Sequence, residues 1–451
     1  MAGPPEGPPG GPRAWPRLAA VCQTDRMVPA SVSPALPFAS ILLALLVLPA
    51  AWPGLWHHPG RRFGLLLLLA APAAWSDAQV SPARLGHALN EYASFLLLLW
   101  ALYQLACGII LRGPFSGTPR ANVGLLALGA ALASLIGTTG ASMLLLPVLL
   151  RANEGRAHVR HLVVVFIFLV SNAAGLLLPL GDPPLFLGFL HGVPFFWTLR
   201  LWPLWLLNVA GLLAVAGVLD ARAYRRESAA VKVAAAERGR GRWQLEGGLH
   251  AAGFLLVAAL LGVGPGLGLG EHLQQLALAA IAVGALWAMP AHVRAFNQFS
   301  WEPLVEVAVL FLPLFLSMPQ ALAVVVEHRA SLPLSSIEAL YWWTGGLSSV
   351  LDNAPCYLTF ATLANAHLGL GGANLQALSQ APDGVPRLMA VAHGAVSMGA
   401  MTYIGNGPNL MVRERAERAG VPMPSFFGYL GWALAFHLPV LAVSRLLVAL
   451  I

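Results

Sequence analysis

Apolar segments recur along this chain almost without pause. They lie near 36–53, 63–76, 88–111, 121–136, 159–180, 197–219, 247–264, 275–290, 303–326, 335–351, 386–404 and 424–450. Most reach the roughly 20 residues that a helix needs to cross a hydrocarbon core. The 63–76 and 275–290 runs are short and read as tilted or partial spans. Two stretches do not fit as simple spans. Residues 137–150 (GTTGASMLLLPVLL) and 351–366 (LDNAPCYLTFATLANA) each follow a span with no charged loop between, and each opens on small and polar residues. Both predict a re-entrant helical hairpin, whose non-helical backbone is tolerated at depth only where it lines a cavity within the protein. Residues 1–35 are rich in Pro and Gly and read as a disordered tail, within which Met27 is an alternative start to Met1.

Composition narrows the class. Hydrophobic residues make up 58% of the 451 and charged residues only 10%, against about 25% charged in an ordinary soluble domain. So few charges cannot cover the surface of a soluble globule, which excludes a soluble enzyme, a nucleic-acid binder and a disordered protein. The net charge of +7 sits in short clusters between apolar runs, a topology signal. One linker stands out: residues 220–246 hold six Arg and Lys232, the only lysine, and divide the chain nearly in half as a cytoplasmic loop. Cys22, Cys107 and Cys356 are odd in number and far apart, so neither a disulfide framework nor a zinc site is expected.

The halves repeat. Residues 171–185 (SNAAGLLLPLGDPPL) align without gaps on 395–409 (AVSMGAMTYIGNGPN), matching Gly175 with Gly399, Gly181 with Gly405, Pro184 with Pro408 and Asp182 with Asn406. The basic loops swap between the halves. Arg151, Arg156 and Arg160 follow the first hairpin, and residues 367–385 after the second hold no Arg or Lys; Arg413, Arg415 and Arg418 follow the second glycine block, and residues 188–199 after the first hold none. By the positive-inside rule the repeats lie in opposite orientations. Inverted repeats with broken segments are the layout of many secondary transporters, with the site near the membrane midplane. The expected fold is an all-α polytopic membrane protein. It divides into tail 1–35, N-terminal helices 36–87, first inverted repeat 88–219, basic linker 220–246, connecting helices 247–302 and second inverted repeat 303–451.

Charged residues inside apolar spans are costly and each needs a reason. The candidates are Glu91, Asp182, Glu306, Glu338 and Asp352, with no Arg or Lys expected deep in a span to neutralise them. Glu91 and Glu338 lie near span ends and read as interfacial. Asp182 and Asp352 lie in Gly/Pro-broken stretches and read as functional; with Glu306 they are the candidate proton carriers. Thr138, Thr139, Asn172, Asn353, Thr402 and Asn406 add the neutral oxygens that hard cations prefer, and freed carbonyls at helix breaks add more. His393, inside an apolar span, reads as core packing, and Trp342 with Trp343 as an interfacial anchor.

At these residues the chain resembles a known family. The blocks around Ser171–Leu185, the LDNAP hairpin start and GAMTYIGNGPN are similar to the sodium:proton antiporter and arsenite permease branch of the ion transporter superfamily. GTTGASMLLLPVLLRANE also fits its bacterial sodium:proton antiporters, labelled citrate-transporter-like. The resemblance implies a scaffold, a mobile transport domain with two opposed hairpins, elevator-type alternating access, and often a homodimer in the bacterial inner membrane. It places a first cage element at Thr138, Thr139 and Gly140, a second at Asp352, Asn353 and Ala354, and loops at 171–182 and 397–406, which hold Ser171, Asn172, Gly181, Asp182, Thr402, Gly405 and Asn406. The expected sodium ligands are Asp352, Asn353, Thr139 and Asp182. The hairpins lack the Ser-Asn-Thr triplet of dicarboxylate carriers, and the first lacks the Asn-Asp of arsenite permeases. The expected function is therefore Na⁺(Li⁺)/H⁺ antiport, with Na⁺-coupled citrate or dicarboxylate symport as the alternative. An arsenite or oxyanion permease or an intramembrane protease comes behind these; Gly181-Asp182 lacks the preceding glycine of an aspartyl protease element. No cofactor and no nucleic acid are expected; the partners are inorganic cations, protons and lipid.

Overall fold

The computed structural model describes residues 34–449 apart from 57, 239–243, 298 and 333, so the expected tail falls outside the described residues but for 34 and 35. The described chain is almost wholly helical. Among the described residues six helices are long and apolar enough to cross a bilayer: Pro59–Val80, Pro119–Ile136, Arg160–Leu177, Phe195–Arg225, Glu302–Glu327 and Phe426–Leu446. Several helices open on proline, whose fixed φ suits a first turn and whose missing donor costs nothing there. Thr118, Ser336 and Ser425 cap helix starts by accepting a backbone N–H.

Two expectations change. The fold is not strictly all-α: Ile110–Arg112 pairs antiparallel with Gln244–Glu246, tying the loop before the first hairpin to the end of the basic linker. The linker is not a plain loop, since Ala229–Arg238 is helical and Arg238 donates to the carbonyls of Ala152 and Glu154. The 159–180 and 386–404 runs are broken, as expected from the glycine blocks, and leave regular helix at Val170 and Gly399.

These breaks organise the molecule. In the first half, helix Pro119–Ile136 stops at Gly137, whose φ of +80° is open to glycine and strained for other residues. Helix Thr138–Ala152 starts at once. Helix Arg160–Leu169 gives way to the tight turn Ala173–Leu177 before Pro183–Leu190. In the second half, Ile337–Ser348 stops, Asn353–His367 starts after a four-residue break, Gly384–Met398 gives way to Gly399–Met401, and Gly407–Arg418 follows. Helices Thr138–Ala152 and Asn353–His367 both have 15 residues.

Candidate functional site

Four helices begin at one place. Their N-caps are Gly137, Asp182, Asp352 and Asn406, and side chains of three of the four starts converge on the Asp182 carboxylate. Thr138 Oγ1 donates to Oδ1 at 2.9 Å, Asn406 Nδ2 to Oδ1 at 3.3 Å, and Asn353 Nδ2 to Oδ2 at 2.5 Å. Asp182 is 2% exposed. Both halves of the chain thus hold one buried carboxylate, and every donor to it is neutral.

A chain of amides extends the cluster. Asn406 Nδ2 also donates to Asn172 Oδ1 at 3.1 Å, and Asn172 Nδ2 to Asn409 Oδ1 at 2.7 Å. Asn409 in turn donates to the carbonyls of Gly399 and Thr402, pinning the second broken segment. Asp352 caps its own helix, accepting from Ala354 N at 3.0 Å. Asn353 Oδ1 is buried and has no hydrogen-bond partner among the described residues. An unpaired buried amide oxygen costs about 1–3 kcal/mol, so a ligand that uses it is favoured. Each helix start carries about half a positive charge, and Asp182 and Asp352 are the carboxylates that meet those ends.

Paired glycines make the crossing possible. A Cβ on Gly181 would lie 2.1 Å from the Gly175 carbonyl oxygen, and one on Gly405 would lie 2.6 Å from that of Gly399. Gly181 O also accepts from Thr138 N at 2.8 Å. Gly181→Ala is therefore expected to lower stability by about 1–3 kcal/mol or more, since backbone rather than a flexible side chain must move. Thermal unfolding in detergent checks this, and an unshifted melting temperature would refute the close crossing.

The other expected residues separate. Thr139 makes no side-chain hydrogen bond among the described residues and is partly exposed. Gly140 lets the hairpin approach helix Pro82–Cys107, its Cβ position being 3.2 Å from Ala106 Cβ. The Ser171 hydroxyl pairs with Ser142 at 2.9 Å, though its carbonyl accepts from Asn406 Nδ2 at 3.3 Å; Thr402 Oγ1 donates to Ser349 O at 2.5 Å, bracing the second break rather than facing Asp182. Glu306 is not brought to the cluster: its side chain is 52% exposed and pairs with Arg62 at 3.2 Å.

The expectation that no Arg or Lys neutralises these carboxylates needs correction, since Arg62 reaches Glu306. Glu338 pairs with Arg445 at 2.7 Å, and Glu91 lies 3.2 Å from His87 and 3.5 Å from His191. Of the five candidates, Asp182 and Asp352 alone have no basic partner among the described residues. Sequence reasoning missed Asn409, at the end of the second matched segment, and Ser142, in the first hairpin, whose partners come from distant segments. Among the described residues no group of three or more His, Cys, Asp or Glu has the arrangement of a metal site.

In comparisons with known proteins, the model of a family described as "Putative citrate transport" matches residues 28–449. No curated protein matches the chain.

Proposed function

The chain belongs to this citrate transport family, and from that premise we propose that it is a secondary active transporter exchanging Na⁺ or Li⁺ for H⁺ at Asp182. The single observation that carries the reading is a buried carboxylate held only by neutral donors. An uncompensated carboxylate at depth is costly, and a small cation or a proton relieves the cost. The two occupants then exclude each other at one place. Asn353 Oδ1 and Asp352 add oxygens suited to a hard cation beside Asp182. The halves act as inverted repeats, supported by the equal hairpin helices and by the glycine crossings that recur at Gly175/Gly181 and Gly399/Gly405. Their broken segments form the moving part of an elevator, working as a homodimer in a bacterial inner membrane.

A second reading, Na⁺-coupled citrate or dicarboxylate symport, is favoured by the family's description and by the four helix starts, whose positive ends suit an anionic substrate. Everted vesicles holding a pH gradient separate the two. NaCl, LiCl, KCl and choline citrate are added in turn while a pH-sensitive dye is followed. Antiport predicts collapse of the gradient by Na⁺ or Li⁺ alone and no collapse in Asp352→Asn. Silence toward every cation, together with uptake of labelled citrate, would replace antiport with symport.

A further inference from the structure

A second polar cluster lies apart from Asp182, between helices Trp202–Arg225, Ile337–Ser348, Gly384–Met398 and the last helix, which begins at Phe426. Six buried polar atoms there have no hydrogen-bond partner among the described residues: Asn208 Oδ1, the hydroxyls of Tyr341, Thr344 and Ser397, and Nδ1 of His393 and of His437. Buried polar groups are nearly always satisfied, and internal water satisfies those that protein atoms do not. Six in one seam call for a file of water.

The groups follow one another through the seam by pairwise contacts. Glu338 and Arg445 pair at one end, and the Arg445 guanidinium lies 5.7 Å from the Tyr341 ring centroid. That ring stacks on His393 at 5.1 Å, and Asn208 Nδ2 lies 2.8 Å from His393 Nε2. Ser397 is one turn further along the His393 helix, and its carbonyl bonds His437 Nε2 at 2.8 Å. His437 ends a π-helical turn, Ala433–His437, that interrupts the last helix; such turns recur at functional sites. Two residues beyond Ser397 is Gly399, whose Cβ position lies 3.2 Å from Asn172 Oδ1 in the amide chain beside Asp182. Arg445 and His437 are the charged or titratable groups in electrostatic reach of His393. The last helix leaves the basic loop of Arg413, Arg415 and Arg418, so its Arg445 end lies on the opposite, non-cytoplasmic face.

We propose that this seam is a hydrated proton path from the Glu338–Arg445 end to the Asp182 cluster, with His393 as its relay. Neutral imidazole accepts a proton on one nitrogen and releases one from the other, so a proton entering from the outer face leaves inward and nothing is consumed. The inference rests on the proton-coupled reading and adds the route.

The test uses purified protein in liposomes. Two rates are compared: sodium-driven proton flux, followed by a pH-sensitive dye, and exchange of labelled for unlabelled sodium, which needs the Asp182 cluster but no proton. In His393→Gln the proton flux should fall by about a hundredfold, the scale of a lost acid–base group, with sodium exchange kept at the wild-type rate. Proton flux unchanged in His393→Gln overturns the seam and leaves antiport standing. Absence of sodium-driven proton flux in the wild type overturns antiport itself and the seam with it. Because a core variant can fail to fold, the wild-type protein is also footprinted with hydroxyl radicals generated from bound water. Labelling of buried Tyr341 and His393 is expected, and their complete protection overturns the hydrated path.

Discussion

Asp182→Asn is expected to abolish cation-dependent proton movement, leaving about 1% of the wild-type rate or less, the scale of a lost acid–base group, while the protein still purifies as a single species. The carboxylate accepts from Thr138, Asn353 and Asn406 on its two oxygens. An amide is nearly isosteric but has one acceptor oxygen and one NH₂ group. The NH₂ must then face a donor, either Asn353 or the Thr138–Asn406 pair. Thr138 relieves its clash by rotating its hydroxyl, and an asparagine amide does so by flipping. The fold therefore tolerates the change at a cost near that of one or two neutral hydrogen bonds, about 0.5–1.5 kcal/mol each. Function does not tolerate it, because the amide holds neither a proton to release nor a charge for a cation. The dye assay in everted vesicles measures the loss, and thermal unfolding measures the small stability change. Wild-type flux in this variant would remove Asp182 from the mechanism and leave Asp352 as the remaining unpaired carboxylate.

What was legible in the sequence follows from where chemistry and chain geometry coincide. Gly137, the Gly181-Asp182-Pro183-Pro184 stretch and Gly405-Asn406 announce breaks because glycine and proline act on the backbone locally. The N-cap residues Asp182, Asp352 and Asn406 could be read for the same reason. Partnerships between distant segments were not legible. Arg62 reaches Glu306 across 244 positions, and Arg445 reaches Glu338 across 107; no local pattern carries such pairings. Thr138 and Thr139 are chemically alike, and only the helix phase decides that Thr138 meets Asp182. Asn409 lies one turn inside a helix that reads as the start of a basic loop, so its part in holding Asn172 emerges only with the fold. His393 read as packing because its partner, Asn208, comes from the other half of the chain.

Arg156 illustrates the same limit with the largest consequence for stability. In the sequence it belongs to a basic loop with Arg151 and Arg160, a topology signal. In the structure its side chain is wholly buried and pairs with Asp220, also wholly buried, at 2.5 Å. Arg156 Nη1 donates further to Gly117 O at 2.8 Å and Asn153 Oδ1 at 2.7 Å. Asp220 accepts from Asn122 at 2.8 Å, and His161 Nε2 lies 3.0 Å from it. The cluster joins helix Pro119–Ile136, the 153–159 loop, helix Arg160–Leu169 and helix Trp202–Arg225, and so fixes the end of the first hairpin. Nearby Glu227 lies outside the spanning segments. Burial alone would raise its carboxyl, but the Ala157 and His158 amides and Arg156 outweigh this and hold it below the ordinary range. Its share of the anchor is therefore present at neutral pH and is lost as pH falls through that lowered range.

Removing one member of a buried ion pair leaves the other uncompensated, which costs about 3–5 kcal/mol, whereas replacing both with apolar residues is often near neutral. Arg156→Ala is accordingly expected to destabilise the protein by about 3–5 kcal/mol, enough to lower the yield of folded protein and its melting temperature sharply. Arg156→Met combined with Asp220→Leu should recover most of that loss. If the single variant melts with the wild type, the pair is dispensable and Arg156 returns to the role of a surface topology charge. If the double variant fares no better than the single, the stability resides in the hydrogen bonds to Gly117, Asn122 and Asn153 rather than in charge compensation. The Asp182 cluster is separated from this anchor by the length of helix Thr138–Ala152, whose first residue touches the carboxylate and whose last turn leads into Asn153. A double variant that folds should therefore keep the wild-type response in the dye assay, because the Asp182 cluster is set by the four helix starts and not by the anchor.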